Sequence, residues 1–334
     1  MKNDLRGRGS DVFSPFLLRP SAKDYIWGGQ RINSLFGKNI PLSPLAETWE
    51  CSVHPDGPSF AASGPFCGLS LSEIIAENPR FCGGLCPGGL PVLIKFIDAA
   101  ESLSVQVHPD DDFARRYENG QSGKTECWFV IDAAPGASVV YGLKEPLAPA
   151  ELERRSLDGS IEGILRRIPV APGDVIPVPA GTLHAIGPGI LLAEVQQNSN
   201  LTYRLYDWGR KGAGGKPREL HLSKASLVIR EPGSIPLTGR GLPVPAGRQT
   251  VCLNRCFAVE RIRTSAEDSF RVDRGTASWA ALLCLDGSGT LRRDGSVLPL
   301  AAGDCAFIPS CRDAAFLEGE GVFLSVYTPP ALSV

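Results

Sequence analysis

Residues 172–184 read PGDVIPVPAGTLH, and residues 302–314 read AGDCAFIPSCRDA. Each copy has Gly-Asp, then a short apolar stretch, then Pro at the same offset. A tight turn into a strand and a turn out of it, used twice in one chain, is the mark of a duplicated β-unit. The copies differ at two telling places: His184 of the first is Ala314 in the second, and Gly181 is Cys311. The expectation is two similar barrels, only the first of which carries a site.

The rest of the chain agrees with that expectation. Its 334 residues are enough for two domains. With 43% hydrophobic and 21% charged residues it is neither disordered nor fibrous. The 37 glycines and 28 prolines punctuate short Val/Ile/Leu runs, the pattern of a mainly β fold with a small number of helices. Strands are expected at 91–97, 103–107, 127–131, 138–141, 174–178, 191–196 and 202–207, and residues 1–60 read as irregular. One helix should begin at Ser70, a cap with Glu73 three residues on, and stop before Pro79. A longer helix is expected over 150–167, where Leu152, Leu157, Ile161, Ile164 and Leu165 fall near one face. The Pro/Gly/Ser-rich stretch 230–248 reads as a linker, dividing a catalytic unit at 1–235 from a second β-unit at 236–334 that lacks metal ligands.

Several classes of partner are disfavoured. The net charge of −2 leaves no electrostatic footprint for nucleic acid. No apolar run approaches the roughly 18–20 residues of a membrane helix. The N-terminus has no continuous apolar core of a signal peptide, so a cytoplasmic location is expected. The ten cysteines include no CxxC pair and are expected to be free thiols acting as small hydrophobes. Cys82-x3-Cys86 could hold half a zinc site, but no second pair completes it.

Only four histidines are present: His54, His108, His184 and His221. The spacing Gly173-x5-Pro179-x-Gly181-x2-His184 resembles the second motif of the cupin superfamily, whose members are jelly-roll barrels. His108 lies in Gln106-Val107-His108, where alternation puts Gln106 and His108 on one face of a strand. Glu126 opens the next strand pattern. Gln106, His108, Glu126 and His184 together make a nitrogen and oxygen donor set for a divalent metal such as zinc, and iron or manganese would also fit. Lys95 interrupts an apolar strand, and a buried ammonium calls for an anion. Lys124 should share a face with Glu126, and Arg204 and Glu194 sit in strand-like runs. Three cations and an extra acid around one metal suggest an anionic, oxygen-rich substrate such as a sugar phosphate.

Longer motifs extend the resemblance. Pro91-Val-Leu-Ile-Lys95, Leu103-Ser-Val-Gln106-Val-His108-Pro-Asp-Asp111, Gly123-Lys-Thr-Glu126, Pro179-Ala-Gly-Thr-Leu-His184 and the run from Glu194 through Arg204 to Asp207 resemble type I mannose-6-phosphate isomerases (phosphomannose isomerases). So do Trp27-Gly28-Gly29 and Glu47-Thr-Trp49-Glu-Cys-Ser-Val-His54. The likeness spans roughly residues 15–225, and the length is similar to the family's short bacterial form. It implies two cupin-type units, one Zn(2+) per chain held by Gln106, His108, Glu126 and His184, and Arg204 as the active-site arginine. It also implies interconversion of mannose 6-phosphate and fructose 6-phosphate. An aldose–ketose isomerase of this kind works through a metal-stabilised enediolate, and needs a base to move a proton between C2 and C1. Glu194 is our choice for that base, because Glu126 is taken by the metal. Lys95 and Lys124 are expected to steer substrate or assist ring opening. An iron(II) oxygenase and a non-catalytic sugar-binding protein are the rival readings. A monomer or weak homo-oligomer is expected.

Overall fold

The structure is a computed structural model that describes residues 10–86, 88–212, 215–230 and 246–330. The chain is mainly β, with antiparallel sheets and five short α-helices among the described residues. A six-stranded sheet runs in the order Val175–Val178, Glu126–Ala133, Ile190–Gln197, Val92–Ala99, Glu47–Cys51, Ser21–Lys23. A five-stranded sheet runs Tyr203–Tyr206, Val105–Val107, His184–Ile186, Ser138–Leu143, Leu165–Pro169. The two enclose a jelly-roll interior, in which Ile97, Trp128 and Leu192 of the first meet Val139, Tyr141 and Ile186 of the second.

Side chains alternate along a strand. Ile94, Phe96, Phe129 and Val195 therefore leave the six-stranded sheet on its other face. They are buried with Leu283, Phe307, Leu324 and Val326 of a third, nine-stranded sheet. Burial on both faces explains why 91–97 and 191–196 are apolar except at Lys95, Glu194 and Gln196. The third sheet contains the C-terminal strands together with Phe16–Arg19, which pairs with Cys305–Ile308 on one side and Phe60–Ala61 on the other.

The sequence repeat is a repeat of hydrogen bonds. Gly173 and Gly303 both have positive φ, 89° and 92°, where a side chain would be strained. Asp174 accepts from the Ala171 N–H at 2.9 Å, and Asp304 accepts from the Ala301 N–H at 2.8 Å. Each turn feeds a four-residue strand, Val175–Val178 or Cys305–Ile308. The interior of the second unit is apolar, lined by Ile262, Leu282, Leu298, Ile308 and Phe323.

Two expectations are corrected. The helix expected over 150–167 ends at Asp158, because Gly159 adopts a left-handed conformation (φ 81°) that caps it. A 3-10 turn, Ser160–Ile164, and an edge strand, Leu165–Pro169, follow, and Leu157 is left exposed. Residues 1–60 are not irregular throughout. They supply four strands and the helix Arg31–Phe36. Glu47–Cys51 escaped notice because two of its five buried residues are acids. Each acid has a cationic partner: Glu47 lies 3.4 Å from Lys95, which is buried, and Glu50 lies 2.8 Å from Lys38, which is partly buried. The helix Leu71–Glu77 forms as expected, with the Ser70–Glu73 capping box complete. The linker expectation falls largely on residues 231–245, which lie outside the described residues.

The covering role of the third sheet gives a direct test. A chain ending at Arg230 would uncover Ile94, Phe96, Phe129 and Val195 and strip Phe16–Arg19 of its Cys305–Ile308 partner. It should be recovered as aggregate, or as a species that binds hydrophobic dye. Soluble monomer with the thermal midpoint of the full chain would show that this face needs no cover.

Candidate active site

Register places the functional side chains in facing rows. On the six-stranded sheet, Lys95 is paired with Glu194 and Trp49, and Glu194 with Trp128; Glu126 is paired with Gln196 and Val178. On the five-stranded sheet, Gln106 sits between His184 and Arg204. Directly opposed residues of adjacent strands share a face. Gln106, His184 and Arg204 thus project toward Lys95, Glu126 and Glu194 across the barrel.

His108 and Lys124 reach the same place from a loop. Asp110 caps the helix Asp111–Tyr117 by accepting from the Phe113 N–H at 2.9 Å. The chain then returns, and the Lys124 N–H donates to the Pro109 carbonyl at 3.0 Å. Asp111 holds the return by accepting from the Gly123 N–H at 2.8 Å and from Gln197 Nε2 at 2.9 Å. A Cβ on Gly123 would lie 2.5 Å from the Asp110 backbone, so only glycine lets the two segments approach this closely. This helix was not expected from the sequence, although an Asp cap followed by two acids in the first turn was its signal.

His108, Glu126 and His184 are buried and offer ligand atoms that all lie within 4.8 Å of one another. His108 Nδ1 is 2.8 Å from the Leu201 carbonyl, and His184 Nδ1 is 2.9 Å from the Thr182 carbonyl. A carbonyl only accepts, so each Nδ1 carries the proton and each Nε2 presents a lone pair. Burial and the Lys124 ammonium push the His108 pKa down to about 3, and burial lowers that of His184, so both rings are neutral. Yet His108 Nε2 lies 3.1 Å from Glu126 Oε1. Two acceptors at that separation, with a second imidazole lone pair aimed nearby, fit a divalent cation between them. Gln106 Nε2 lies 3.4 Å from His184 Nε2, and half a turn of the amide presents its oxygen instead. Among the described residues this is the one group of three or more His, Cys, Asp or Glu side chains placed to hold a metal. Cys82 and Cys86 are not part of such a group. The Cys86 thiol donates to Thr328 at 2.9 Å, and all ten cysteines are free.

The surrounding charges interlock. Lys124 Nζ is 2.6 Å from Glu126 Oε1, 3.4 Å from His108 Nε2 and 3.8 Å from Glu194 Oε1. Burial raises the Glu126 pKa, but the Lys124 ammonium opposes it, and the carboxyl is held well below its usual range. Glu194 behaves oppositely: burial and the Glu126 charge push it up to about 8, against Lys95 and Lys124. Glu194 Oε1 has no hydrogen-bond partner among the described residues. For Lys95, burial disfavours the charge, but Glu47, Glu194 and Glu126 prevail and raise its pKa. The anion that Lys95 calls for is Glu47, itself oriented by Trp49 Nε1 at 2.8 Å.

These groups line a cavity of about 300 Å³ that contains Gln106, Lys95, Lys124, Glu126, Glu194 and Arg204. Sequence reasoning missed Glu47, Tyr25 and Arg218, which also line this cavity. Arg218 had no local signal, because its place depends on the segment before His221 lying along the Tyr203–Tyr206 strand. Trp128 is a further supporting residue: its Nε1 donates to Glu126 Oε2 at 3.0 Å, and its ring meets His184 edge-on at 5.4 Å. Trp128→Phe keeps the ring contact and removes the donor. It should weaken metal affinity by about 10–100-fold, measured by competition with a chelating dye. Unchanged affinity would show that the indole N–H does not orient the carboxylate.

Comparison with known proteins places the chain among mannose-6-phosphate isomerases. The family model for the phosphomannose isomerase type I catalytic domain matches residues 16–126. YvyI of Bacillus subtilis, provisionally named a mannose-6-phosphate isomerase, is 38% identical over 305 residues, which cover 89% of this chain and 93% of that protein. The mannose-6-phosphate isomerase ManA of the same organism is 45% identical over 222 residues, covering 66% of this chain and 70% of that one. The crystal structure of a Bacillus subtilis mannose 6-phosphate isomerase superposes with a TM-score of 0.85 at 36% identity, over 94% of this chain and 99% of that one.

Proposed function

Because the chain belongs to the type I phosphomannose isomerase family, we propose that it interconverts mannose 6-phosphate and fructose 6-phosphate with one zinc ion held by Gln106, His108, Glu126 and His184. The observation that carries this reading is the pair of Nδ1-protonated imidazoles whose Nε2 lone pairs converge with Glu126. When bound, zinc supplies Lewis-acid polarisation of two adjacent substrate oxygens.

The chain's own residues do the rest. Lys124 is close enough to a substrate beside Glu126 to pass a proton to the ring oxygen during opening. Glu194 takes the proton from C2, leaving an enediolate, and returns it to C1 on the same face. Arg204 and Lys95 place positive charge beside the oxygens on which negative charge grows, in a cavity whose buried walls strengthen the interaction. The barrel interior around Trp128, Ile97 and Ile186 limits water at the reacting carbons.

The test is a coupled assay for fructose 6-phosphate formed from mannose 6-phosphate, run on the purified chain, after chelation and after zinc is restored. Turnover should vanish with the chelator and return with zinc. Zinc-loaded protein without turnover on mannose 6-phosphate would overturn the reading.

A further inference from the structure

All ten cysteines are free, and burial holds most of them as thiols; Cys82 and Cys284, for example, are pushed up to about 12. One pair stands apart. Cys127 follows Glu126 on the strand Glu126–Ala133, and alternation turns it out of the barrel as Glu126 turns in. It is buried with Cys252 in the apolar layer between the six-stranded and nine-stranded sheets. There the Cys127 thiol donates a hydrogen bond to the Cys252 sulfur. A second donor, Asn254 Nδ2, reaches the same sulfur at 3.9 Å. The Cys127 hydrogen bond, with help from Asn254, lowers the pKa of Cys252 against burial.

The two sulfurs differ in access. Cys252 is 8% exposed and lines a cavity of about 410 Å³, whose wall also includes Thr125, Glu126, Arg255 and Cys256. Cys127 is 3% exposed and is not among the residues that line it. Cys252 also sits where the backbone can give. Gly247–Leu253 is the edge strand of its sheet, paired on one side to Ala258–Thr264, and a bulge falls between Thr250 and Cys252.

We propose that Cys252 and Cys127 form a reversible disulfide on exposure to hydrogen peroxide, and that this cross-link weakens metal binding through Glu126. The Cys252 sulfur attacks one peroxide oxygen, the O–O bond breaks, and the other oxygen leaves as water with the thiol proton. Cys252 is then a sulfenic acid. The Cys127 sulfur attacks the Cys252 sulfur, the S–O bond breaks, and a second water leaves with the Cys127 proton. Two thiols are oxidised to one disulfide while one peroxide is reduced to two waters. A disulfide holds its sulfurs at about 2.05 Å, well inside a thiol–thiol hydrogen bond, so the two strands must draw together. Glu126 is the next residue along, and His108 and His184 come from other elements, so a shift of the Cys127 backbone moves the carboxylate relative to both imidazoles. The effect on metal rests on the zinc reading above; the disulfide does not.

Zinc-loaded wild type and Cys252→Ser are treated with hydrogen peroxide and mapped by mass after tryptic digestion without reductant. Trypsin cuts after Arg248 and Arg255, so Cys252 and Cys256 fall in different peptides. Wild type should yield the Cys127 peptide joined to the Cys252 peptide, lighter than their sum by two hydrogens and split by dithiothreitol. Its zinc affinity, by competition with a chelating dye, should fall at least about tenfold and return with dithiothreitol. Cys252→Ser should show no link at Cys127 and keep its zinc affinity through the treatment. Both cysteines recovered as free thiols under excess peroxide, or Cys252 joined to Cys256, would overturn the disulfide. A linked chain that binds zinc as tightly as the reduced one would overturn the coupling to Glu126. A chain that never binds zinc would end the metal reading and the coupling together, and mapping alone would decide the disulfide. If Cys252→Ser does not fold, wild type before and after dithiothreitol decides by the same two readouts.

Discussion

His184→Gln should lose its stoichiometric zinc and at least about 1,000-fold of its turnover, the several kcal/mol that a metal supplies to charge developing on substrate oxygens. Glutamine is chosen over alanine because His184 is fully buried between Trp128 and His108, with ring centroids at 5.4 Å and 4.8 Å. Alanine would leave a cavity and confuse folding with chemistry. The imidazole's contribution is specific. Its Nδ1–H is committed to the Thr182 carbonyl, which aims Nε2 at the Glu126 carboxylate, 3.8 Å from Oε2. An amide can fill the space and donate to the Thr182 carbonyl, but it then offers the cation a neutral oxygen in place of the imidazole nitrogen that zinc favours. Elemental analysis and the coupled assay read the two consequences separately. One zinc per chain with wild-type turnover in His184→Gln would remove His184 from the metal centre. Full zinc with turnover lost would make it a group acting on substrate.

Glu194→Gln carries the second large effect. Its kcat should fall by about 100- to 10,000-fold, the usual worth of a positioned acid–base group. Zinc content should stay at the wild-type level, because Glu126 and not Glu194 faces both imidazoles. The side chain is isosteric, and its neighbours on the sheet, Lys95 and Trp128, keep their register. Exchange of the C2 hydrogen with solvent deuterium should be lost in step with turnover. A variant that retains zinc and turns over at near the wild-type rate would end the assignment of Glu194 as the base. Lys124, 3.8 Å away, would then be the next group to test.

Part of the candidate metal site was legible in the sequence for a physical reason. Gln106 was placed by strand alternation and His184 by the turn after Pro179, whereas His108 comes from a loop held by the long-range Gln197–Asp111 contact. Their convergence with Glu126 required the fold. What local pattern cannot show is the partner chosen by strand pairing. Lys95 declared the need for an anion, but Glu47 answers it from a strand whose acids made it look like loop. Arg218 is placed by a hydrogen-bonded segment against Arg204, and nothing in its neighbours in sequence marks it. The helix at 149–158 was overextended because apolar periodicity continued past Gly159, where the backbone changes hand and the same apolar residues serve a 3-10 turn and an edge strand.

The pairing of Phe16–Arg19 with Cys305–Ile308 also constrains the order of events during synthesis. Leu18 meets Cys305, so every residue through Cys305 must leave the ribosome before that rung can close. At about 5–20 residues per second, the first strand waits on the order of 15–60 s for its partner. For that interval the outer face of the first barrel, with Phe96 and Phe129, has no cover. The nascent chain therefore stays open to chaperones until Cys305–Ile308 has emerged, and closing so long a loop places this sheet among the late, slow steps of folding.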